Sequence, residues 1–170
     1  MTAIYLSLGS NVERHKNITA ALDALAKLLG ELRISSVYES KSVGFDGSNF
    51  FNLVVGAETS LSITELSETL KRIEDDNGRK RSGPKFSPRT LDIDILTYGD
   101  FVDNESGIEL PRAEITKNAF VLLPLAEIAP QVLHPQLQKS YRDLWLGYDQ
   151  VSQSLWSIDF EWQGKAISKA

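Results

Sequence analysis

The chain has 170 residues, no cysteine, two histidines and a formal net charge of -5; it is long enough for one domain with its own core, and any metal must be held mainly by oxygen because disulfides and cysteine-based zinc sites are excluded. The acidic balance argues against general nucleic-acid binding, which sets many cations against phosphates. No charged leader with an apolar run opens the chain and no window approaches a membrane span, so a cytoplasmic protein with no membrane partner is expected.

Ile4, Leu6 and Leu8 alternate with Tyr5 and Ser7, the period of a half-buried strand that ends at Gly9 and Ser10. Ile18, Ala21, Leu22, Leu25, Leu28 and Leu29 then recur at helical spacing, and Gly30 is placed to stop that helix. The stretches LRISSVY (32 to 38) and FFNLVVGAE (50 to 58) read as two strands joined by a loop holding Gly44 and Gly47. A second helix presents Ile63, Leu66, Leu70 and Ile73, with Ser62 as N-cap and Gly78 just beyond its end. TLDIDILTY (90 to 98) is a fourth strand.

The order β-α-β-β-α-β defines a ferredoxin-like, α+β core: an antiparallel sheet with helices packed on it, within one domain spanning 1 to 170. Beyond about residue 100 come a turn-rich stretch, a helix in NAFVLLPLAEIA broken or restarted near Pro124, and an aromatic tail. This C-terminal helical and aromatic extension is expected in part to cover the sheet's other face. Its Trp145, Trp156 and Trp162 read as packing anchors.

The chemistry concentrates in GRKRSGPKFSPRTLDIDIL, residues 78 to 96. On a strand, Leu91, Ile93 and Ile95 point one way while Asp92 and Asp94 share the other face. The two carboxylates, with α-carbons about 6.5 to 7 Å apart, converge on one or two hard cations, and magnesium fits such a pair when phosphates complete its shell. Taken alone, D-x-D is the wet face of an ordinary strand. Here Arg79, Lys80, Arg81, Lys85 and Arg89 precede it in a Gly- and Pro-rich loop able to fold over a polyphosphate. Metal-binding carboxylates beside movable cations are what phosphoryl transfer requires. No P-loop sequence occurs.

SPRTLDIDILTYG closely resembles the signature of the 6-hydroxymethyl-7,8-dihydropterin pyrophosphokinases. YLSLGSN, FFNLVVGAET, IEDDNGR and AFVLLPLAEIAP match in the same order, so the resemblance spans residues 5 to 130. It implies magnesium-dependent transfer of a pyrophosphoryl group from ATP to the pterin hydroxymethyl, with AMP released, by a monomer acting on small molecules. It further implies that Asp92 and Asp94 hold two magnesium ions and that Arg79, Arg81 and Arg89 serve a catalytic loop. Asn52 matches a pterin-bonding asparagine and Phe120 a stacking aromatic; Phe50 stands for a tyrosine and Phe86 for a loop tryptophan. Ser40 and Val43 match positions whose backbone meets the pterin edge. Glu74, Arg81, Arg89, Ile95 and Arg112 fall to the nucleotide.

The departures cluster in IELPRAEITKNAF, where Arg112 replaces a histidine, Ala113 an aromatic or proline and Asn118 an arginine, and where Glu109 stands at a usually neutral position. A carboxylate near ATP phosphates repels them, and Arg112 is the candidate to supply the missing cation. These changes leave a second reading: a divergent relative that binds pterin or nucleotide, or uses another donor or acceptor. A single-stranded RNA module on the same sheet is disfavoured, because Asp92 and Asp94 would repel the backbone. Loops 40 to 50 and 78 to 89 are expected to close over the bound ligands.

Overall fold

The computed structural model describes residues 1–41, 48–78, 91–105 and 107–170. Strand β1 (Thr2–Ser10) leads into helix α1 (Arg14–Leu29), short strands β2 (Arg33–Ile34) and β3 (Tyr38–Ser40), strand β4 (Phe50–Thr59), helix α2 (Ile63–Asp76) and strand β5 (Asp92–Tyr98). A hairpin of β6 (Asp103–Glu105) and β7 (Ile108–Leu110) follows, then helices α3 (Glu114–Lys117), α4 (Ala119–Ile128) and α5 (Tyr141–Leu146), and strands β8 (Leu155–Ser157), β9 (Phe160–Trp162) and β10 (Lys165–Ser168). Among the described residues no helix is long and apolar enough to cross a membrane.

The main sheet runs β5-β1-β4-β3-β8, with β2 also on β4, and its pairings are antiparallel. With β2 and β3 taken as one interrupted strand, the core has the strand order of the ferredoxin-like unit read from the sequence. Strand alternation divides two cores. Ile4, Leu6, Leu8, Leu53, Val55, Ile93 and Ile95 pack against Ile18, Leu22 and Leu25 of α1 and Leu66 and Leu70 of α2. Tyr5, Val54 and Leu96 face the opposite way, against Ile115, Val121, Leu122, Leu125 and Tyr141 of the later helices. Both sheet faces are thus covered, the second one by the C-terminal third of the chain.

The local signals explain most boundaries. Gly30 ends α1 at φ 81°, a left-handed value that glycine adopts without a Cβ clash. Ser62 Oγ accepts from Glu65 N at 3.1 Å while Glu65 Oε1 accepts from Ser62 N at 3.0 Å, a capping box at the start of α2. The strand expected over 32–38 is instead interrupted, because the Ser35 hydroxyl displaces its own carbonyl from the ladder and the next two backbone amides turn to partners outside β4. Ser35 N donates to Val54 O, and Ser35 Oγ takes the Val54 N–H. Ser36 N donates to the Glu127 carboxylate and Val37 N to Ser168 Oγ.

Helix α4 passes through Pro124 without a break. Proline lacks an N–H and cannot bond the carbonyl four residues back, that of Phe120, but Val121, Leu122 and Leu125 are buried in the second core and hold the helix together. The tail contains strands that its sequence pattern hid. β8 extends the sheet beside β3, and β9 pairs with β10. Trp145 packs on the second core and Trp162 on the first, where its Nε1 donates to Asp23 at 2.9 Å. Trp156 departs from the anchoring expectation, being 42% exposed.

Candidate active site

Asp92, Asp94 and Leu96 share one face of β5, the face turned toward α4, while Ile93 and Ile95 enter the α1/α2 core. Register carries that face across the sheet. Asp92 pairs with Gly9, Gly9 with Asn52, and Asn52 with Tyr38, so these four residues form one row over β5, β1, β4 and β3. With neighbouring strands about 4.8 Å apart, Asp92 and Asn52 lie about 10 Å from one another along that row.

Strand β1 ends at Ser10, as its sequence predicts, so Gly9 lies within the strand and is paired on both sides. A Cβ built there would lie 3.4 Å from Asn52 Oδ1 and 3.8 Å from a ring carbon of Phe50. A glycine inside a central strand marks a close approach, and here it gives the row a bare floor between carboxylate and amide. The glycine of YLSLGSN was the available sequence signal, legible only once its two strand partners are known.

Asn52 is 6% exposed, and the partner it needs is present: its Nδ2 donates to Ser40 Oγ at 2.7 Å. Two of the residues assigned to the pterin therefore hold each other in place, with Phe50 two residues away on the same face of β4. Phe120 packs against the second core on that same side of the sheet. The approach to this region is braced from α1, where Arg14 Nη1 meets Glu39 Oε2 at 3.2 Å and Asn49 O at 3.1 Å, and Asn49 Nδ2 bonds the same glutamate.

On the outer side of β5 a cleft of about 420 Å³ opens between α2 and the segment from Gly107 to Glu114. It gathers Asp92, Asp94, Glu74, Ile95 and Arg112, together with Lys71 and Glu109. That volume lies within the range of small-molecule sites. Glu74 is buried, and its Oε2 accepts the N–H of Ile93 at 2.7 Å. The bond ties α2 to the residue between the two aspartates and so fixes their height on the cleft wall. It also shows that Ile93 directs its N–H outward; Ile95, two residues on, lines the same cleft while staying 4% exposed.

Arg112 N donates to Leu96 O at 2.9 Å, which brings its side chain beside β5. Its Nη2 lies 3.5 Å from Asp94 Oδ1, and its Nε donates to Glu114. Arginine and aspartate are 37% and 40% exposed, and a pair so wet contributes only about 0.2–1 kcal/mol. It can be displaced by a stronger partner. No group of three or more His, Cys, Asp or Glu is assembled for a metal among the described residues. The acidic pair does fit magnesium, a hard cation usually held by one or two carboxylates, with waters and substrate phosphates filling its shell.

Asp92, Asp94, Glu74, Ile95 and Arg112 thus meet at one cleft, while Ser40, Asn52 and Phe50 gather on the adjoining sheet face. Arg79, Arg81, Arg89, Val43 and Phe86, with most of the loops 40–50 and 78–89, lie outside the described residues.

An acidic pair between a nucleotide-sized cleft and a recessed amide and aromatic surface suits a protein that joins a metal-bound phosphate to a flat heterocycle. Residues 5–130 match the family model of 7,8-dihydro-6-hydroxymethylpterin-pyrophosphokinase. A 2-amino-4-hydroxy-6-hydroxymethyldihydropteridine pyrophosphokinase from Aquifex aeolicus is 41% identical over 145 residues, covering 84% of this chain and 90% of its own length. The corresponding Haemophilus influenzae protein is 36% identical over 142 residues, covering 81% and 88%. The HPPK-DHPS protein of Plasmodium falciparum shares the fold at TM-score 0.68 and 17% identity; the match covers 85% of this chain and 43% of that longer one. The chain belongs to the 7,8-dihydro-6-hydroxymethylpterin-pyrophosphokinase family.

Proposed function

We propose that this chain, acting as a single cytoplasmic domain and a monomer, transfers a diphosphate group from ATP to the hydroxymethyl oxygen of 6-hydroxymethyl-7,8-dihydropterin in folate synthesis. The hydroxyl oxygen gives up its proton to solvent as it forms a bond to the β-phosphorus, the bond from that phosphorus to the α,β-bridging oxygen breaks, and AMP departs with the electron pair. The observation that carries this reading is the row Asp92, Gly9, Asn52, which runs from the cleft wall to the amide surface without an intervening side chain.

Each residue has work suited to its place. Ser40 orients the Asn52 amide, which meets the polar rim of the pterin; Phe120 and Phe50 offer it aromatic faces, and we assign Val43 and Phe86 to the same ligand on the family resemblance alone. Ile95 and Glu74 line the nucleotide side of the cleft. Asp92 and Asp94 would hold two magnesium ions, which when bound draw charge from the phosphate oxygens and lower the pKa of the attacking hydroxyl. Arg112 leaves its weak pair with Asp94 and turns to phosphate, while Arg79, Arg81 and Arg89 neutralise charge developing on the transferred and leaving groups.

The test is to incubate the purified chain with ATP, magnesium and the pterin. AMP and pterin diphosphate in equal amounts support the assignment. Pterin binding without AMP would point to the divergent reading raised by Glu109, Arg112, Ala113 and Asn118.

A further inference from the structure

Helix α4 carries Phe120 in its first turn, and that turn is short of intrahelical support. Pro124 leaves the Phe120 carbonyl without its usual donor, and Asn118, at the N-cap, makes no side-chain hydrogen bond to the helix. An aromatic wall on so lightly bonded a turn needs outside bracing. Gln153 supplies it from the chain beyond residue 130, where the family match ends. Its Oε1 accepts the Ala119 N–H at 2.8 Å, and its Nε2 donates to Lys117 O at 3.1 Å. Tyr148 Oη donates to the same carbonyl at 2.8 Å.

We infer that Gln153 is a positioning residue for Phe120, spanning the α3–α4 junction with one amide. The role suits an amide, which accepts at one atom and donates at the other; a carboxylate or a hydrocarbon meets at most half of it. Soon after Gln153 the chain enters β8, which pairs with β3, and β3 holds Ser40 against Asn52. One short segment therefore sets the aromatic wall on one side and backs the strand of the amide rim on the other. Small displacements of such a wall weaken the grip on a flat ring without touching the nucleotide cleft.

This inference rests on the pterin reading of Phe120, and its test separates the two. In Gln153→Ala, the pterin dissociation constant, measured by fluorescence with magnesium and a non-hydrolysable ATP analogue, rises about tenfold, as does the KM for pterin. The KM for ATP and the melting temperature stay unchanged. Gln153→Glu falls between, keeping the bond to Ala119 N–H and losing that to Lys117. In a Phe120→Ala background, Gln153→Ala adds no further loss. Amide exchange at Ala119 accelerates in Gln153→Ala with or without pterin. Unchanged exchange at Ala119, equal losses for pterin and ATP, or independent losses in the double variant would each overturn the positioning role alone. A wild-type chain that does not bind pterin would remove the functional reading and this inference with it.

Discussion

Asp92 and Asn52 stand in one cross-strand row, separated only by Gly9, which pairs with both. This places a carboxylate of the cleft and an amide of the sheet face about 10 Å apart with no side chain between them. Gly9→Val fills that gap. Pterin binding is expected to fall at least tenfold while nucleotide binding persists, because the cleft lies on the far side of β5. Separate titrations of the two ligands check this; equal losses would indicate that the sheet itself had shifted.

Asp92 and Asp94 are partly exposed and their removal leaves the apolar faces of β5 untouched. Asp92→Asn and Asp94→Asn should each lower turnover by about a thousandfold, on the scale of losing one preorganised electrostatic contact, with melting temperatures near that of the parent. Activity assays alongside thermal melts test the point. Near-normal turnover in either variant would remove that carboxylate from the metal site.

Arg112 stands beside Asp94, and its pair with the aspartate is weak enough to exchange. Arg112→Ala should raise the KM for ATP about tenfold and leave that for pterin unchanged. Arg112→His should recover part of the loss. Steady-state kinetics with each substrate varied in turn would expose a purely structural role as a parallel change in both.

His134 gives a pH dependence unrelated to catalysis. It is 4% exposed, and its Nδ1 accepts the N–H groups of Gln136 and Leu137 at 3.2 and 3.1 Å. Burial holds its pKa below the ordinary 6.5. The unfolded chain therefore binds this proton first. The stabilisation is fully present above pH 6.5 and is lost as the pH falls toward the lower folded value, by at most about 1.4 kcal/mol per pH unit for one proton. Denaturant titrations between pH 7.5 and 5.5 should show that decline, and His134→Asn, which keeps an acceptor, should flatten it.

The order of the core elements was legible because each apolar face repeats at its own period: Ile4, Leu6 and Leu8 along a strand, Ile63, Leu66, Leu70 and Ile73 along a helix. The acidic pair was legible for the same reason, since alternation alone puts Asp92 and Asp94 on one face. What escaped were features set by distant partners. Gly9 gains its meaning from Asn52 and Asp92, and the break at Ser35 to Val37 depends on Val54, Glu127 and Ser168. The strands of the tail are short, and β8 is fixed by pairing with β3 rather than by a period of its own. Arg112 could be named as a spare cation, but its place beside Asp94 follows from the bond between its backbone and Leu96.

The central claim is that the metal-holding carboxylates stand between nucleotide and pterin, and paramagnetic relaxation tests it most directly. With manganese in place of magnesium and a non-hydrolysable ATP analogue bound, the amide signals of Ser7, Gly9 and Asn52 should broaden strongly. Those of Trp162 should not, and the broadening should disappear in an Asp92→Asn, Asp94→Asn double variant. Sharp signals at Gly9 and Asn52 under saturating manganese and nucleotide would place the metal elsewhere and contradict the account.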